Sequence, residues 1–436
     1  MVVSNVREGI PMPSPRLPSE SELSQRTLAI VMAGGNGSRL GDLTRSECKP
    51  ALPFGGQYRN IDFPLSNCVN SGIRRIALAT QYKAHSLIQH VHRGWMISRP
   101  EAGEFIEVWP AQQRCGAGWY SGTADAIYQN LDLIGQQAAD YVLILAGDHI
   151  YKMDYRLMLA EHAASRADVT IGCIEVPLES AGAFGIIDTD ERHWVTRFDE
   201  KPAVPPPSRA NPGVALASMG IYVFNAAFLA ECLRTDAADP GSRHDFGRNV
   251  LPAAIARAAR VRAYAFRDAA GGPAYWRDVG TIDSYWRAHM ELLADRPGFN
   301  LHDACWPIWT HQTQCPPPIF TGQGFASRSI VAGGCGIAGT VEHSVLSQRC
   351  VVGSGSVVES SVVLPDVTIG RDCRIRRAII EAGCAIPDGV ELGGDGYDDD
   401  ESRRYSGEGI AVVTSAVVTR AMAHAAPPKV AYLIRR

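Results

Sequence analysis

Short apolar runs separated by amphipathic segments occupy the chain up to about residue 300. Because each run is continuously apolar over the length of one strand, the runs predict buried strands of a parallel sheet. Five such runs are present: 28–33, 75–80, 141–146, 169–176 and 220–224. Segments with helical spacing lie between them, such as 64–70 before Gly72, and 84–92. Strands that alternate with helices predict a doubly wound, Rossmann-like α/β fold.

A different spacing begins after the proline run 316–318. Apolar β-branched residues recur every six positions: Val345, Val351, Val357, Val363, Ile369 and Ile375. Glycine and small residues fill the positions between them, which is typical of a hexapeptide repeat in a left-handed parallel β-helix. A few ordinary strands with coincidental spacing are the alternative. We expect the repeat to break at Glu381, before an exposed acidic loop at 395–401 and a short closing segment.

The two patterns divide the 436 residues into four parts. Residues 1–26 are polar and contain several prolines, which predicts a flexible tail. Residues 27–305 form the α/β domain, 306–328 a linker, and 329–436 a β-helix domain for assembly and regulation. The proline-rich segment 202–212 predicts a surface loop, since proline does not fit inside a helix or a central strand.

Charge and composition exclude several classes of protein. Lys and Arg number 42 against 46 Asp and Glu, a net charge of −4, so no basic field is present that would hold a nucleic acid. Neither a signal peptide nor a run of 18 apolar residues is found, which predicts a cytoplasmic protein that does not bind membranes. The 11 cysteines include no C-x-x-C pair and predict reduced thiols, without a disulfide framework or a zinc site.

A glycine-rich turn follows the first predicted strand, and its glycines are Gly34, Gly35 and Gly37. Without Cβ atoms in the way, the backbone N–H groups of such a turn can donate to phosphate oxygens. The turn is not a P-loop, and Leu40 stands where a dinucleotide-binding motif has its last glycine. A plain tight turn is the alternative. Arg39 and Lys49, however, supply two cations that could reach the phosphates of one nucleotide.

Two aspartates are candidate metal ligands. Asp148 follows the apolar run 141–146, at the kind of strand end where open α/β sheets bind ligands. Asp278 is the second carboxylate that Mg²⁺ would use beside the phosphates of a substrate. Each aspartate could instead cap the N-terminus of a helix that follows it.

Several motifs together resemble the bacterial ADP-glucose pyrophosphorylases, a branch of the sugar-nucleotide pyrophosphorylases. They are the G-G-x-G-[ST]-R-L turn, the downstream K-P, and the segments 61–67, 80–82, 110–114, 119–125, 145–151 and 275–281. The resemblance extends from residue 28 to the C-terminal segment. It implies that the chain makes ADP-glucose and pyrophosphate from ATP and glucose 1-phosphate with Mg²⁺, and so supplies the glucosyl donor for glycogen.

The resemblance also assigns roles to individual residues. The catalytic residues would be Arg39, Lys49 and Asp148. The nucleotide-binding residues would be Gly34, Gly35, Gly37, Gln81, Gln112, Gln113, Gly122, Thr123 and Asp148. The sugar-phosphate-binding residues would be Tyr120, Gly185, Glu200, Lys201, Ser218 and Trp276, and the metal ligands Asp148 and Asp278. The adjacent glutamines are the candidates for reading adenine, because a side-chain amide both donates and accepts.

The implied reaction is an in-line attack by a phosphate oxygen of glucose 1-phosphate on the α-phosphorus of ATP. Positioning and charge neutralisation can supply most of the catalysis of such a transfer. The chain has no G-x-S-x-G elbow and no motif around a nucleophilic cysteine. We therefore expect no covalent enzyme intermediate.

Other functions stay open on the sequence alone. A regulatory subunit of the same fold would bind effectors without catalysis, but Asp148, Lys201 and Asp278, which such a subunit could lose, are all present. A UDP-glucose or GDP-mannose pyrophosphorylase would differ in nucleotide choice. Hexapeptide repeats also build acyltransferases that use a histidine, and His343 is the only histidine in the repeat.

The regulatory segment departs from the enteric members of the family. In those enzymes a lysine between L-T and K-P binds fructose 1,6-bisphosphate, whereas the aligned residue here is Ser46, with Glu47 beside it. We therefore expect a less charged activator, such as fructose 6-phosphate or pyruvate. The resemblance further implies an adenine-nucleotide inhibitor and a homotetramer. The cations that remain for an effector site are Arg45, Arg59, Arg403, Arg404 and Arg420.

Overall fold

The computed structural model describes residues 18–35, 37–114, 118–209, 211–268, 271–393 and 404–424, with the backbone alone at Arg404 and 420–424. The helices in these ranges are α1 (Glu20–Gln25), α2 (Asp62–Asn70), α3 (His85–Gly94), α4 (Thr123–Tyr128), α5 (Leu131–Gln136), α6 (Tyr155–Ser165), α7 (Ala226–Ala237), α8 (Leu251–Ala256), α9 (Ile282–Glu291) and α10 (Ser415–His424). None of these helices has the length and apolar character that crossing a membrane requires.

The strands of the α/β domain are β1 (Thr27–Ala33), β2 (Pro53–Phe54), β3 (Tyr58–Arg59), β4 (Arg75–Thr80), β5 (Phe105–Pro110), β6 (Tyr141–Ala146), β7 (His149–Tyr151), β8 (Val169–Pro177), β9 (Gly185–Thr189), β10 (Val195–Glu200), β11 (Val214–Asn225), β12 (Val261–Ala265) and β13 (Trp276–Asp278). Nine of them form one sheet in the order β10-β9-β11-β6-β1-β4-β5, with β8 on β11 and β12 on β8. The strands β6, β1, β4 and β5 pair in parallel. The predicted α/β fold is confirmed.

One of the five predicted strands runs in the opposite direction. β11 pairs antiparallel with β6 and with β8, so the prediction of a parallel strand at 220–224 is wrong. A continuous apolar run reports burial on both faces of a sheet, but it carries no information on strand direction. A register shift between Ser218 and Ile221 also interrupts the pairing of β11 with β8.

Apolar layers cover both faces of the sheet. Ala29 and Val31 of β1 pack in a cluster with residues of α2, α3 and α6. The alternate residues Leu28 and Ile30 pack in a second cluster with residues of α4, α7 and α8. The sheet is thus buried between two helical layers, and the carboxyl ends of β1, β4 and β6 are left at one common edge.

Short strands of two or three residues build the second domain: β14 (Ile319–Phe320), β15 (Phe325–Ser327), β16 (Ile330–Val331), β17 (Gly336–Ile337), β18 (Thr340–Glu342), β19 (Val345–Leu346), β20 (Val351–Val352), β21 (Val357–Glu359), β22 (Val362–Val363), β23 (Thr368–Ile369), β24 (Arg374–Arg376), β25 (Ala378–Ile380), β26 (Ala385–Ile386), β27 (Glu391–Leu392), β28 (Arg404–Tyr405) and β29 (Ala411–Val413). They stack as three parallel sheets, β14-β17-β20-β23-β26, β15-β18-β21-β24-β27 and β16-β19-β22-β25-β29, with β28 antiparallel on β29. The predicted β-helix is confirmed.

The strict six-residue period is wrong in detail. Inward-facing residues follow one another at intervals of six, five and six positions: Val352, Val358, Val363 and Ile369. Stacked residues are therefore 17 positions apart in these coils, as the pairs Val352↔Ile369 and Ile369↔Ile386 are, whereas Ile337↔Val352 in the preceding coil are 15 apart. Val351, which the six-residue period selects, points outward and is 44% exposed. Val351 and Val352 look alike in sequence. Which of them faces the core depends on the one interval of five residues in the coil, and the six-residue pattern does not contain it.

The β-helix extends beyond its predicted limits. Its first strands, β14 and β15, lie in the range 306–328 that the sequence assigns to a linker. The repeat continues through β26 and β27 and does not break at Glu381. The acidic loop predicted for 395–401 lies outside the described residues.

The third sheet of the β-helix covers the α/β domain. Its outward-facing residues are buried: Val345, Val362, Ile379 and Val412. They share a cluster with Phe54 of β2 and with Tyr285 of α9. Trp286, also of α9, donates its Nε1–H to the carbonyl of Ser360 at 2.8 Å. The two domains are therefore joined by a common apolar core.

Residues 20–25, which the sequence analysis assigns to a flexible tail, form α1 instead. Ser19 Oγ accepts from Glu22 N at 3.3 Å, and the Glu22 carboxylate accepts from Ser19 N, so a capping box begins the helix. Leu23 anchors this helix in the core. Residues 1–17 lie outside the described part of the chain. The loop predicted at 202–212 contains no helix or strand among its described residues.

Candidate active site

The glycine-rich turn after β1 bends at Gly37. This residue has a φ of +71°, and a Cβ there would lie 2.8 Å from Cγ2 of Thr44. Thr44 Oγ1 donates to the Gly37 carbonyl at 2.9 Å and closes the loop. The following 3-10 turn, Ser38–Thr44, presents Arg39 at the edge of the sheet. Glycine is thus required at this position both by its φ and by the space available.

Two strands bring the predicted metal ligands together. Asp148 lies just beyond the carboxyl end of β6, and the next residue begins β7. β7 pairs antiparallel with β13 in the register His149↔Asp278. As a result both aspartates line the same cavity, and each has 22% of its side chain exposed.

Neither aspartate caps a helix. Asp148 is followed by the strand β7, and the cap of α9 is Thr281, whose Oγ1 accepts from Ser284 N at 3.2 Å. Asp278 Oδ1 accepts instead from Gly280 N at 2.8 Å. The N-cap alternative is therefore excluded for both residues.

The predicted cations lie against these carboxylates. Lys49 Nζ is 3.7 Å from Asp148 Oδ2, and an Arg39 guanidinium nitrogen is 3.9 Å from Asp278 Oδ2. A Cβ on Gly280 would lie 2.7 Å from Asp278 Oδ1, 2.9 Å from Arg39 and 3.2 Å from Lys49 Nζ. Two positive and two negative side chains thus converge on the turn that follows β13. Such an arrangement can hold a polyphosphate and a divalent cation together.

The first cavity at this edge has a volume of about 440 Å³. Its lining includes these predicted residues: Gly34, Gly35, Lys49, Gln81, Tyr120, Gly122, Thr123 and Asp148. Tyr120 N donates to Gln81 Oε1 at 2.8 Å, and Gln81 Nε2 donates to the Tyr120 carbonyl at 3.3 Å. Gln81 therefore fixes the backbone of the loop that covers this cavity. A Cβ on Gly122 would collide with the carbonyl of His244, so the loop approaches its neighbour as closely as glycine allows.

A second cavity, of about 300 Å³, adjoins the first. Its lining includes these predicted residues: Arg39, Thr123, Asp148, Gly185, Glu200, Lys201, Ser218, Trp276 and Asp278. The Trp276 ring lies edge-on to His149 and to Phe184, with centroids 4.9 and 5.5 Å apart. Residues that line both cavities are Met32, Thr123, Asp148 and Asp245. Asp148 thus stands where the two cavities meet.

Comparison with known proteins identifies the family. A family model described as "Nucleotidyl transferase" matches residues 28–295, and one described as "GlmU-like, C-terminal hexapeptide" matches residues 320–413. A protein of Methylococcus capsulatus named glucose-1-phosphate adenylyltransferase is 55% identical over 90% of this chain and 94% of its own length. Proteins of the same name from Hydrogenovibrio crunogenus and Nitrosococcus oceani are 54% and 52% identical over 91% and 90% of this chain, and 95% of each of theirs.

The chain belongs to the glucose-1-phosphate adenylyltransferase family. The resemblance inferred from the motifs is confirmed, and so is a nucleotidyltransferase domain followed by hexapeptide repeats of the left-handed β-helix type. Enzymes of the nucleotidyltransferase family generally use a divalent metal ion. The acyltransferase alternative loses its support, because relatives that align over about 90% of this chain are named glucose-1-phosphate adenylyltransferase. His343 lines neither cavity of the site.

Four predicted residues do not line the cavity that their assigned role implies. Gly37, assigned to the nucleotide, lines neither cavity. Tyr120, assigned to the sugar phosphate, lines the first cavity and not the second. Gln112 and Gln113, assigned to adenine, are exposed and line neither cavity. Side-chain orientation in a loop depends on contacts that the sequence does not reveal.

The sequence analysis missed Asp245, which lines both cavities. Its Oδ2 accepts from Thr123 Oγ1 at 2.9 Å, and its Oδ1 accepts from Arg248 N at 3.0 Å. The second bond caps the π-helical turn Phe246–Val250. An aspartate before such a turn has the pattern of an ordinary cap, so no signal in the sequence distinguished it from one.

Two buried hydroxyls form the floor of the second cavity. Ser218 Oγ and Tyr222 Oη lie 3.4 Å apart, and Gly220 N donates to Ser218 Oγ at 3.3 Å. Burial raises the pKa of the Tyr222 phenol well above its ordinary value. The phenol therefore stays neutral and can donate to a bound anion or sugar oxygen.

Some of the predicted regulatory residues lie in the described part of the chain, and others lie outside it. Ser46 and Arg59 line a third cavity, of about 330 Å³, between the α/β domain and the β-helix. Arg45 is absent from that lining and pairs with Asp42 at 2.7 Å, and the hydrogen bond to Asp42 raises the pKa of its guanidinium. Arg403 lies outside the described residues. The side chains of Arg404 and Arg420 also lie outside them.

The cations of the third cavity are already paired. Arg59 lies 3.6 Å from the Glu47 carboxylate and donates to the Ala51 carbonyl at 2.7 Å. Arg349, on the β-helix side, is 2.6 Å from Asp366. An anion that enters this cavity must compete with both carboxylates.

Proposed function

We propose that the chain transfers the adenylyl group of ATP to glucose 1-phosphate and releases pyrophosphate, with ADP-glucose as the product. The observation that carries the proposal is the meeting of two cavities at Asp148, with Lys49 and Arg39 beside it. The names of the relatives supply the identity of the two substrates. In this proposal residues 27–305 are the catalytic unit, and ADP-glucose is made as the glucosyl donor for glycogen.

The cavity with the glycine-rich turn would bind ATP, and the second cavity would bind glucose 1-phosphate. Two anions must approach each other for the phosphate oxygen to attack the α-phosphorus. Arg39 and Lys49 reduce the repulsion between them, because both cations lie at the junction of the cavities. The substrates are thereby held for an in-line displacement, and no covalent intermediate is required.

The donor set fits Mg²⁺ as the divalent ion. Two carboxylates line the second cavity, and each has 22% of its side chain exposed. Mg²⁺ favours one or two carboxylates together with substrate phosphates. No group of three metal-ligating side chains is found among the described residues, so the phosphates would complete the coordination. Asp148 and Asp278 would hold the ion, which when bound neutralises phosphate charge. The pairing of Lys49 with Asp148 and of Arg39 with Asp278 would limit the rotation of each carboxylate away from the ion.

A regulatory role without catalysis is the second candidate. The complete set of charged residues at the site argues against it, since Arg39, Lys49, Asp148, Lys201 and Asp278 all line the two cavities. A UDP-glucose or GDP-mannose pyrophosphorylase is a further alternative, which the names of the relatives disfavour.

One assay separates these candidates. Pyrophosphate release is measured with glucose 1-phosphate and each of ATP, UTP, GTP and CTP. We expect ATP to give the highest rate. A higher rate with UTP or GTP would favour the other pyrophosphorylases, and no release with any nucleotide would favour the non-catalytic subunit.

Regulation is proposed at the third cavity. Arg59 and Arg349 can receive an anionic effector there, but Glu47 and Asp366 already neutralise them in part. Ser46 adds a hydroxyl where a further cation would favour a bisphosphate. A less charged activator, fructose 6-phosphate or pyruvate, and an adenine-nucleotide inhibitor fit this balance of charge.

We further propose a homotetramer assembled through the β-helix. The outward residues of its first sheet carry no charge: Ile319, Gly336, Val351, Thr368 and Ala385. The third sheet, whose outward residues are equally apolar, is covered by the α/β domain. The first sheet exposes Ile319 and Val351 in this chain, so a second copy is the partner that we infer for it.

A further inference from the structure

The carboxylate of Glu200 is mostly buried and only partly paired. Glu200 ends β10, lines the second cavity, and has 19% of its side chain exposed. Among the described residues its one ion pair is with Lys201, whose Nζ lies 3.5 Å from Oε1. Oε2 has no ion-pair partner among the same residues. An acceptor kept in this state can accept from a hydroxyl of the ligand that fills the cavity.

Two glycines leave the space in which this carboxylate lies. A Cβ built on Gly247 would be 2.5 Å from Glu200 Oε2 and 3.1 Å from its Cδ. A Cβ built on Gly185 would be 2.9 Å from Oε2 and 2.5 Å from Cζ of Phe198. The carboxylate is therefore enclosed between the backbone of β9 and the π-helical turn Phe246–Val250.

The two glycines differ in what a side chain would displace. Neither has a positive φ, so an alanine at either position would strain no backbone dihedral. At Gly185 the obstacle includes the ring of Phe198, which is buried in the core. At Gly247 the two closest atoms belong to the end of the flexible Glu200 side chain, and the Phe198 ring is farther away, with Cε1 at 3.3 Å. An added methyl group at Gly247 would thus move the carboxylate at little cost to the fold.

We propose that Gly247 determines specificity for the sugar phosphate by leaving the space that holds the Glu200 carboxylate toward the cavity. The proposal rests on the role of Glu200 in binding glucose hydroxyls, proposed above. Gly247 does not itself touch the reacting atoms, so it is a positioning residue. A side chain at this position displaces the acceptor and leaves the nucleotide cavity unchanged, because Gly247 lines the second cavity and not the first.

The first test is the variant Gly247→Ala. We expect its KM for glucose 1-phosphate to rise at least about tenfold, the scale of one lost hydrogen bond to a charged group. The KM for ATP should stay within about twofold of the wild-type value, and Tm should change little. Gly135→Ala is the matched control, since a Cβ at that exposed helical position meets no atom within 4 Å. Equal increases in both KM values would overturn the proposal.

A double-mutant cycle with Glu200→Ala tests whether Gly247→Ala acts through the Glu200 carboxylate or by disturbing the fold of the site. In the Glu200→Ala background the carboxylate is absent, so Gly247→Ala should raise the KM for glucose 1-phosphate by less than about twofold. A full additional increase would overturn the role of Gly247 while leaving that of Glu200 intact. If Glu200→Ala alone leaves this KM unchanged, the proposed role of Glu200 fails, and the role of Gly247 fails with it.

Discrimination between sugars gives a readout that a structural defect would not change. Wild-type enzyme should prefer glucose 1-phosphate to the deoxy analogue that lacks the hydroxyl bound by Glu200, because that analogue removes the hydrogen bond to a mostly buried carboxylate. The four monodeoxyglucose 1-phosphates are compared by kcat/KM. Gly247→Ala should reduce the largest of the four preferences at least about tenfold. A preference that is unchanged in the variant would overturn the proposal.

Discussion

Lys49 Nζ lies 3.7 Å from Asp148 Oδ2, although the two residues belong to distant segments of the chain. Lys49 begins the 3-10 turn Lys49–Ala51, which the following segment holds in place. Asn60 Nδ2 donates to the Lys49 carbonyl at 3.0 Å, and Ile61 N donates to the Pro50 carbonyl at 2.9 Å. This turn thus keeps a cation beside the carboxylate that lines both cavities.

Removing either metal carboxylate should abolish most of the activity. We expect Asp148→Asn and Asp278→Asn each to lower turnover at least about a hundredfold, because one preorganised charge is lost at the site of transfer. Pyrophosphate release at saturating Mg²⁺ measures the effect, and circular dichroism verifies the fold. The control Asp188→Asn breaks only an exposed pair with Arg209 and should keep its activity. Turnover near the wild-type value in either site variant would refute the metal assignment.

Lys201→Ala should affect one substrate more than the other. Lys201 lines the second cavity and not the first, so the KM for glucose 1-phosphate should rise at least about tenfold while that for ATP changes less than about threefold. Steady-state kinetics with each substrate varied in turn measure both constants. The control Lys152→Ala removes a lysine that pairs with Asp303 away from both cavities. Similar increases for both substrates would reject the role of Lys201.

The preference for one activator over another should depend on whether the side chain at position 46 is charged. We expect the wild-type enzyme to respond more strongly to fructose 6-phosphate or pyruvate than to fructose 1,6-bisphosphate. Ser46→Lys should shift the preference toward the bisphosphate, because a cation is added to the lining of the third cavity. Titration of all three effectors against both proteins measures the shift. A wild-type enzyme most sensitive to the bisphosphate would contradict the prediction.

Assembly should be sensitive to charge on the first sheet of the β-helix. Val351→Glu places a carboxylate in the middle of the uncharged outward residues and should dissociate the tetramer, because burying an unpaired charge is costly. Sedimentation velocity measures the change. Arg374→Glu, on the charged second sheet, is the matched control. A Val351→Glu protein that keeps the subunit number of the wild type would show that this face is not the interface.

Stability should fall in mild acid. Burial lowers the pKa of His162 and that of His289 each to about 4, whereas an unfolded histidine titrates near about 6.5. The unfolded chain then binds more protons between these values, so the free energy of unfolding should decrease as pH falls from about 6.5 to 4. Denaturant unfolding at several pH values measures the slope. His289→Gln should flatten it, and His302→Gln, at an exposed position, should leave it unchanged.

Burial explains which parts of the fold could be predicted. The ranges 75–80 and 141–146 coincide with β4 and β6, because a strand covered on both faces leaves a continuous apolar run. The direction of β11 depends instead on the connection that precedes it. In the β-helix, Val351 and Val352 are chemically identical, so composition could not reveal which one faces inward.

The site was predictable where its chemistry requires an uncommon pattern. Arg39 and Lys49 stand out because they follow a glycine-rich turn, and Asp148 because it follows an apolar run. Asp245 could not be found in this way, since an aspartate before a turn usually serves as a cap. Gln112 offered suitable hydrogen-bonding groups, but its side chain is exposed outside both cavities.

The stacking of coils restricts how the strands of the β-helix can change in length. Deleting one residue from a strand of the β-helix exchanges inward and outward positions, so a core valine and a surface residue trade places. Adding or removing a complete coil leaves every face in register, and the face buried against Tyr285 still meets the α/β domain. We therefore expect tolerated length changes within the strands to come in whole coils, whereas the segments between strands vary, as the spacings of 15 and 17 residues show. Whole coils should accumulate at the open end near Phe320, where no further coil is stacked among the described residues.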